Sequence, residues 1–308
     1  MKILITGGAG FLGSVITPYL LGLGHHVTVI DTLVHGVPSL LGCAHYPRFE
    51  FIKGDARSLQ VIKEPLAQAD AVIPLAAIVG APACDADVHG THSINFGAVS
   101  LICSHLSPAQ RIFYPNTNSG YGTTAPGTIC DENTPLIPIS LYGKTKTMAE
   151  KLVLERENSV VFRLATVFGV SPRMRFDLLF NDFVLRAHRD GCIALFEASA
   201  RRNFVHIRDV ASAFSMAVDE TIKPGVYNCG NTSMNMTKLD LCEAIVKVMP
   251  AFDWFFMDHR DDPDKRDYAV SNERLEAAGW KATYGAQEGI EQVLTACKML
   301  PRGAMANV

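Results

Sequence analysis

Apolar positions along this chain fall into short continuous runs that alternate with longer segments of helical periodicity. Lys2-Ile-Leu-Ile-Thr6 reads as a buried strand, and Phe11, Leu12, Val15, Ile16 and Leu20 recur at helical spacing behind it. Val27-Thr-Val-Ile30 predicts a second strand that ends at Asp31. Further strands are expected at Phe49–Ile52, Ala71–Leu75, Arg111–Tyr114 and Val160–Leu164, with helices over about 92–105 and from Tyr142 to about 157. Strand-then-helix alternation of this kind predicts an α/β Rossmann architecture, a doubly wound parallel sheet with helices on both faces.

Beyond residue 169 the pattern loosens. A proline-arginine loop and an apolar helix from Leu178 to Ala187 precede Asn203-Phe-Val-His-Ile-Arg-Asp209, expected to be a strand that rejoins the sheet, with Asp209 near the N-cap of a helix. Helices near 236–248 and 272–278 and a strand near 254–257 follow, and 301–308 reads as a frayed end. The expected division is a nucleotide-binding domain of residues 1–169 with 203–231, and a smaller α/β substrate-binding lobe of 170–202 with 232–308.

The first strand runs into Gly7-Gly-Ala-Gly10-Phe11-Leu12-Gly13, a spacing that gains meaning from its strand–helix–strand context. Gly7 permits a tight turn, Gly10 lets backbone approach a pyrophosphate, and Gly13 lets the helix sit close to the strand. Asp31 is placed to accept hydrogen bonds from an adenosine ribose; its charge would repel a 2′-phosphate, which favours NAD over NADP. Asp55, with Ala56 behind it, is placed to meet an adenine amine or is a simple Asp turn. Leu75, Ala76 and Ala77 leave room for a cofactor, and Asn95 is a further candidate contact near the start of its helix.

Tyr142 and Lys146 are four residues apart, so they share one helix face. An ammonium beside a phenol favours the phenolate, which suits Tyr142 to removing a hydroxyl proton. For the pair alone, accidental packing is an equal alternative.

Composition narrows the remaining classes. The 308 residues are 48% apolar and 19% charged, with a formal net charge of −3, an ordinary globular balance. No basic run suggests nucleic acid, no apolar run spans a bilayer, and the N-terminus is not a signal peptide. Eight scattered cysteines without Cys-x-x-Cys spacing fit buried thiols in a reducing cytoplasm. His25-His26 and His89-Gly-Thr-His92 lack a carboxylate or cysteine frame, so no metal is assigned.

Taken together, Thr6–Gly13, Asp31, Asp55, Leu75–Ala77, Thr117 and Tyr142-x-x-x-Lys146 resemble the extended short-chain dehydrogenase/reductase family. The resemblance covers essentially the whole chain. It implies NAD as cofactor and a nucleotide-diphosphate sugar as substrate, in a 4-epimerase, 4,6-dehydratase, decarboxylase or 4-dehydrogenase. It implies Tyr142 as base, Lys146 as the residue that lowers its pKa and holds the nicotinamide ribose, and Thr117 as hydrogen-bond partner of the sugar hydroxyl, with Ser119 as a rival.

Dehydratases carry Asp-Glu directly after the catalytic threonine. Asn118-Ser119 stand here, and neither can do that proton work. Arg202 matches a family arginine, although Asn203 replaces the usual Asp after it. Arg202 and Arg266 are expected to hold the diphosphate, and Arg175 and Asn181 are weaker candidates for nucleotide or sugar contacts; surface salt bridging is the alternative for the arginines.

Residues 114–122, 171–179 and 262–268 resemble the branch containing GDP-D-glycero-α-D-manno-heptose 4-dehydrogenases of bacterial capsule-sugar pathways, which implies a 2-oxo acid such as 2-oxoglutarate as co-substrate. A 4-epimerase would use the same Thr, Tyr and Lys. Family analogy adds a homodimer through helices near 92–105 and 142–157.

Overall fold

The computed structural model describes residues 1–125, 127–257 and 267–300. The chain opens with β1 (Lys2–Thr6), α1 (Gly13–Gly22), β2 (His26–Asp31), β3 (Phe49–Lys53), α2 (Leu59–Gln68) and β4 (Ala71–Pro74). Two short helices, α3 (Ala81–Ala86) and α4 (Val88–His92), pass through a π turn at Ser93–Gly97 into α5 (Ala98–His105). Then come β5 (Arg111–Thr117), β6 (Ile129–Cys130), α6 (Leu141–Leu154), β7 (Ser159–Leu164) and β8 (Thr166–Phe168). The second half holds α7 (Leu179–Asp190), β9 (Cys192–Leu195), β10 (Arg201–His206), α8 (Ile207–Val218) and β11 (Gly225–Cys229). It ends with β12 (Asn235–Thr237), α9 (Lys238–Val248), β13 (Asp253–Phe256), β14 (Ala269–Val270), α10 (Glu273–Ala277) and α11 (Ala286–Met299).

Seven strands form one parallel sheet in the order β11-β7-β5-β4-β1-β2-β3. The order reverses between β1 and β4, which opens a crevice at the carboxyl ends of the strands. Because successive strand residues point to opposite faces, β5 sends Phe113 into one core, with α1 and α8 residues, and Ile112 and Tyr114 into another, with residues of α2, α5 and α6. A third core gathers Phe180, Phe204, Leu241 and Ile290 from α7, β10, α9 and α11.

Residues 203–209 do not rejoin the main sheet as expected. β10 pairs in parallel with β8 and antiparallel with β12 in a separate three-stranded sheet, and β11 makes the return. A fully buried strand carries the same apolar signature whichever sheet receives it. Asp209 does lie near the N-cap, in the first turn of α8 behind His206, and its buried carboxylate accepts from Thr283 N (3.1 Å), Thr283 Oγ1 (2.7 Å) and Tyr284 N (3.1 Å). The helix expected from 92 begins earlier, at Val88, and the π turn places Asn95 in its interior. Cys192 is exposed, an exception to the buried thiols.

Candidate active site

The crevice is a cleft of about 1750 Å³ lined by the carboxyl ends of β1, β2, β4, β5 and β7 and by segments of the second half. At its floor Gly7 has a φ of +72°, and a Cβ there would lie 2.5 Å from Ala76 Cα. The turn and the segment just after β4 therefore touch backbone to backbone, and only glycine fits. A Cβ at Gly10 would meet the Gly7 carbonyl at 3.2 Å, and one at Gly13 would overlap the Gly8 backbone, so the start of α1 is pressed onto the turn. Gly10, Phe11, Leu12 and Gly13 line the cleft beside this floor, as do Leu75, Ala76 and Ala77.

Asp31, at the end of β2, accepts from Ala9 N (2.9 Å) and Leu33 N (2.8 Å) while still lining the cleft. It braces the glycine turn from the cleft wall. Asp55 and Ala56 also line the cleft. Arg57, which sequence reasoning missed, grips the Asp55 carboxylate with Nε at 3.0 Å and Nη2 at 2.6 Å, and donates to Ser93 Oγ at 2.9 Å. The guanidinium holds the Asp55 carboxyl below the usual carboxylate range. The Asp-x-Arg spacing at 55–57 was its only signal.

Asn95 is buried and lies outside the cleft lining. Its amide accepts from Ile78 N and donates to Ile78 O, both at 2.9 Å, and also reaches Thr145 Oγ1 at 3.3 Å. It fastens the cleft wall at 78 to α6.

Thr117 closes β5, and its Oγ1 accepts from Ser119 N and donates to Ser119 Oγ, each at 3.1 Å. Both hydroxyls line the cleft, so the rivals form one hydrogen-bonded unit. Asn118 turns away from the cleft lining; it is buried, and neither amide atom has a hydrogen-bond partner among the described residues.

Facing them, α6 starts at Ser140, whose side chain accepts from Gly143 N at 3.1 Å. Tyr142 in the first turn and Lys146 one turn further along line the cleft. Lys146 is buried, with Nζ 4.1 Å from the centroid of the Tyr114 ring. Desolvation lowers its pKa to about 7, with Glu150 acting in the opposite direction. The ammonium is therefore not a fixed charge; its population at neutral pH depends on its neighbours.

Toward the other end, Arg173, Arg175, Arg202 and Lys238 line the cleft against the carboxylates Asp177 and Asp182. Arg175 forms an ion pair with Asp177 through Nε (2.6 Å) and Nη2. Arg202 is 3% exposed, stacks over the Tyr268 ring at 5.6 Å and donates to the Arg201 carbonyl at 2.9 Å. Lys238 Nζ donates to the Phe196 carbonyl at 2.7 Å. Arg173 belongs to the Arg173-Met-Arg175 cluster expected to suit a phosphate group, whereas Lys238 and Tyr268 were not anticipated. Asn181 is buried outside the lining, accepting from Gly169 N (3.1 Å) and donating to the Arg175 carbonyl (2.9 Å), so it supports the arginine loop. Asn203, in place of the expected Asp, is buried and donates to the Asn231 carbonyl at 2.9 Å. Arg266 lies outside the described residues. No group of three or more metal-ligating side chains occurs among the described residues, and no helix among them is long and apolar enough to cross a membrane.

A model of the NAD dependent epimerase/dehydratase family matches residues 3–230. A low-salt glycan biosynthesis protein of Haloferax volcanii is 27% identical over 94% of this chain and 96% of its own length. A probable UDP-arabinose 4-epimerase of Arabidopsis thaliana is 28% identical over 98% of this chain and 82% of its own. In structure, the chain is similar to a UDP-glucuronic acid 4-epimerase of Bacillus cereus in complex with NAD and UDP-4-deoxy-4-fluoro-glucuronic acid (TM-score 0.86, 23% identity, 97% and 99% of the two chains). The glycine floor and Asp31 fit such a dinucleotide, since the turn leaves no side chain between backbone and ligand.

Proposed function

The chain belongs to the NAD dependent epimerase/dehydratase family, and from that premise we propose that it oxidises C4 of a nucleotide-diphosphate sugar, with GDP-manno-heptose as the sugar nucleotide and its 4-keto form as product. It is an NAD-dependent enzyme. When bound, NAD supplies the acceptor for the C4 hydride. The single observation that carries the reading is the convergence of Thr117, Tyr142 and Lys146 on one cleft that also holds the glycine floor and a cationic far end.

Tyr142 takes the C4 hydroxyl proton. Thr117, tied to Ser119, orients that hydroxyl, and Lys146 favours the phenolate and donates to the ribose of the nicotinamide. Gly7, Gly10, Phe11, Leu12 and Gly13 cradle the pyrophosphate, Asp31 the adenosine ribose, Asp55 and Ala56 the adenine, and Leu75–Ala77 the dinucleotide's flank. Asn95 serves by holding the wall at Ile78. Arg202, with Arg266 and Arg175, holds the diphosphate, because guanidinium forks suit paired phosphate oxygens. Residues 1–169 with 203–231 carry the cofactor, and 170–202 with 232–308 the nucleotide sugar. Asn118-Ser119 supply neither acid nor base for a dehydration.

A 2-oxo acid such as 2-oxoglutarate takes the hydride back in this reading, and the enzyme works as a cytoplasmic homodimer in capsule or surface polysaccharide synthesis. A 4-epimerase is the second reading, supported by the likeness to the 4-epimerases above. The test weighs GDP-manno-heptose after incubation with the protein, with and without 2-oxoglutarate. A product lighter by two hydrogens, formed only with the oxo acid, is expected. Unchanged mass with an altered C4 proton signal would favour the epimerase, and an untouched sugar nucleotide would overturn the choice of sugar.

A further inference from the structure

Tyr142 and Lys146 are the first two members of a stripe whose third is Glu150, at the same four-residue spacing on α6. Glu150 is 2% exposed and so cannot be a solvated surface acid. Its carboxylate is gripped from the sheet below. Arg163 Nη2 reaches Oε1 at 2.6 Å, Arg163 Nε lies 3.2 Å from the same oxygen, and the Asn116 amide donates to Oε2. Asn116 and Arg163 sit directly opposite each other on β5 and β7, so the two clamping side chains are fixed by strand register. Arg163 in turn donates through Nη1 to the Tyr121 hydroxyl and the Glu132 carbonyl, both at 3.1 Å.

An ion pair this deep is an expensive way to join a helix to a sheet, because desolvating both charges offsets most of their attraction. Apolar side chains would join the same elements at no such cost. What they would not supply is a negative charge one helical turn from a lysine that is itself buried.

We propose that Glu150 is a positioning residue for Lys146: its carboxylate, clamped by Arg163 and Asn116, keeps the buried lysine ammonium charged and aimed at the base. This rests on the reading of Tyr142 and Lys146 given above. The groups facing Lys146 are few. From α6 they are Tyr142 and Glu150, and from β5 the Tyr114 ring, whose hydroxyl donates to the Lys146 carbonyl at 3.3 Å. Beyond Tyr114 lies Cys103 of α5, a thiol pushed up to about 11 by burial and therefore neutral. Arg163 of β7 has Glu150 as its partner. Of these, Glu150 supplies the opposing charge that counters desolvation at Lys146.

The test follows the lysine itself, in protein carrying ¹³C at lysine Cε, by NMR titration of the full chain with the Lys146 signal assigned through Lys146→Arg. In Glu150→Gln the Lys146 midpoint is expected to fall by about one to two pH units. Because Arg163 is left unpaired there, the double variant Glu150→Gln with Arg163→Gln is measured alongside, and a fall in the same direction is expected. An unmoved or raised midpoint in a folded variant overturns the proposal. Turnover is followed in parallel, and its alkaline limb is expected to move to lower pH with the lysine. A moved midpoint with an unmoved limb would uphold Glu150's hold on Lys146 and sink the catalytic reading of the pair instead.

Discussion

Lys146 Nζ lies 4.1 Å from the centre of the Tyr114 ring, and the hydroxyl of that same tyrosine donates to the Lys146 carbonyl. A residue of β5 thus grips α6 at both backbone and side chain, and the aromatic face compensates part of the lysine's lost hydration. A lysine so placed is sensitive to any ligand that offers it acceptors.

Cofactor binding should therefore take up protons. The Lys146 pKa is lowered to about 7, so the ammonium is populated below that pH and lost above it. Ribose hydroxyls accept a stronger, charge-assisted hydrogen bond from the protonated form, so NAD favours it and affinity weakens as pH rises through and above 7. Calorimetry near pH 8 in buffers of different ionisation enthalpy should register uptake of a fraction of a proton, absent in Lys146→Met.

The Asp31 carboxylate braces Ala9 and Leu33 and lines the cleft where the proposed reading puts the adenosine ribose. Asp31→Asn should weaken NAD about tenfold and narrow the preference over NADP, because the charge that repels a 2′-phosphate is gone. Fluorescence titration with both dinucleotides reads this directly.

Gly7→Ala combines a left-handed φ with a Cβ 2.5 Å from Ala76 Cα. A loss of about 3 kcal/mol is expected from overpacking and backbone strain together, read as a lower urea midpoint, with NAD binding abolished.

His206 is buried, stacked on Tyr284 at 4.1 Å, with Nε2 3.0 Å from Gln292 Oε1. Desolvation lowers its pKa to about 4 from 6.5. Between those values the unfolded chain binds a proton that the folded one refuses, so stability is retained above pH 6.5 and lost as pH falls toward 4. Urea unfolding should show about 2 kcal/mol less stability at pH 5 than at pH 7, with a flatter dependence in His206→Phe.

The parallel sheet and the cofactor end of the site were legible because each depends on local pattern. β1, Gly7, Asp31 and the Tyr142–Lys146 pair sit within one strand-turn-helix unit or one helical turn, where spacing dictates neighbours. What escaped was set by distant pairing. That β10 pairs outside the main sheet and β11 enters it depends on partners 38 and 65 residues away, invisible to periodicity. Lys238 looks like a surface charge until it is found buried against the Phe196 carbonyl, and Asn95 and Asn181 look like ligand contacts until their amides are found bound to backbone.

The central claim is that Tyr142 removes the proton that releases the C4 hydride. The most direct measurement mixes NAD-loaded protein with the sugar nucleotide in a stopped-flow instrument and follows reduced-nicotinamide absorbance in the first turnover. Tyr142→Phe should slow that signal by about 10²-fold or more while leaving NAD affinity within about twofold. A first-turnover rate equal to that of the unaltered enzyme would contradict the account.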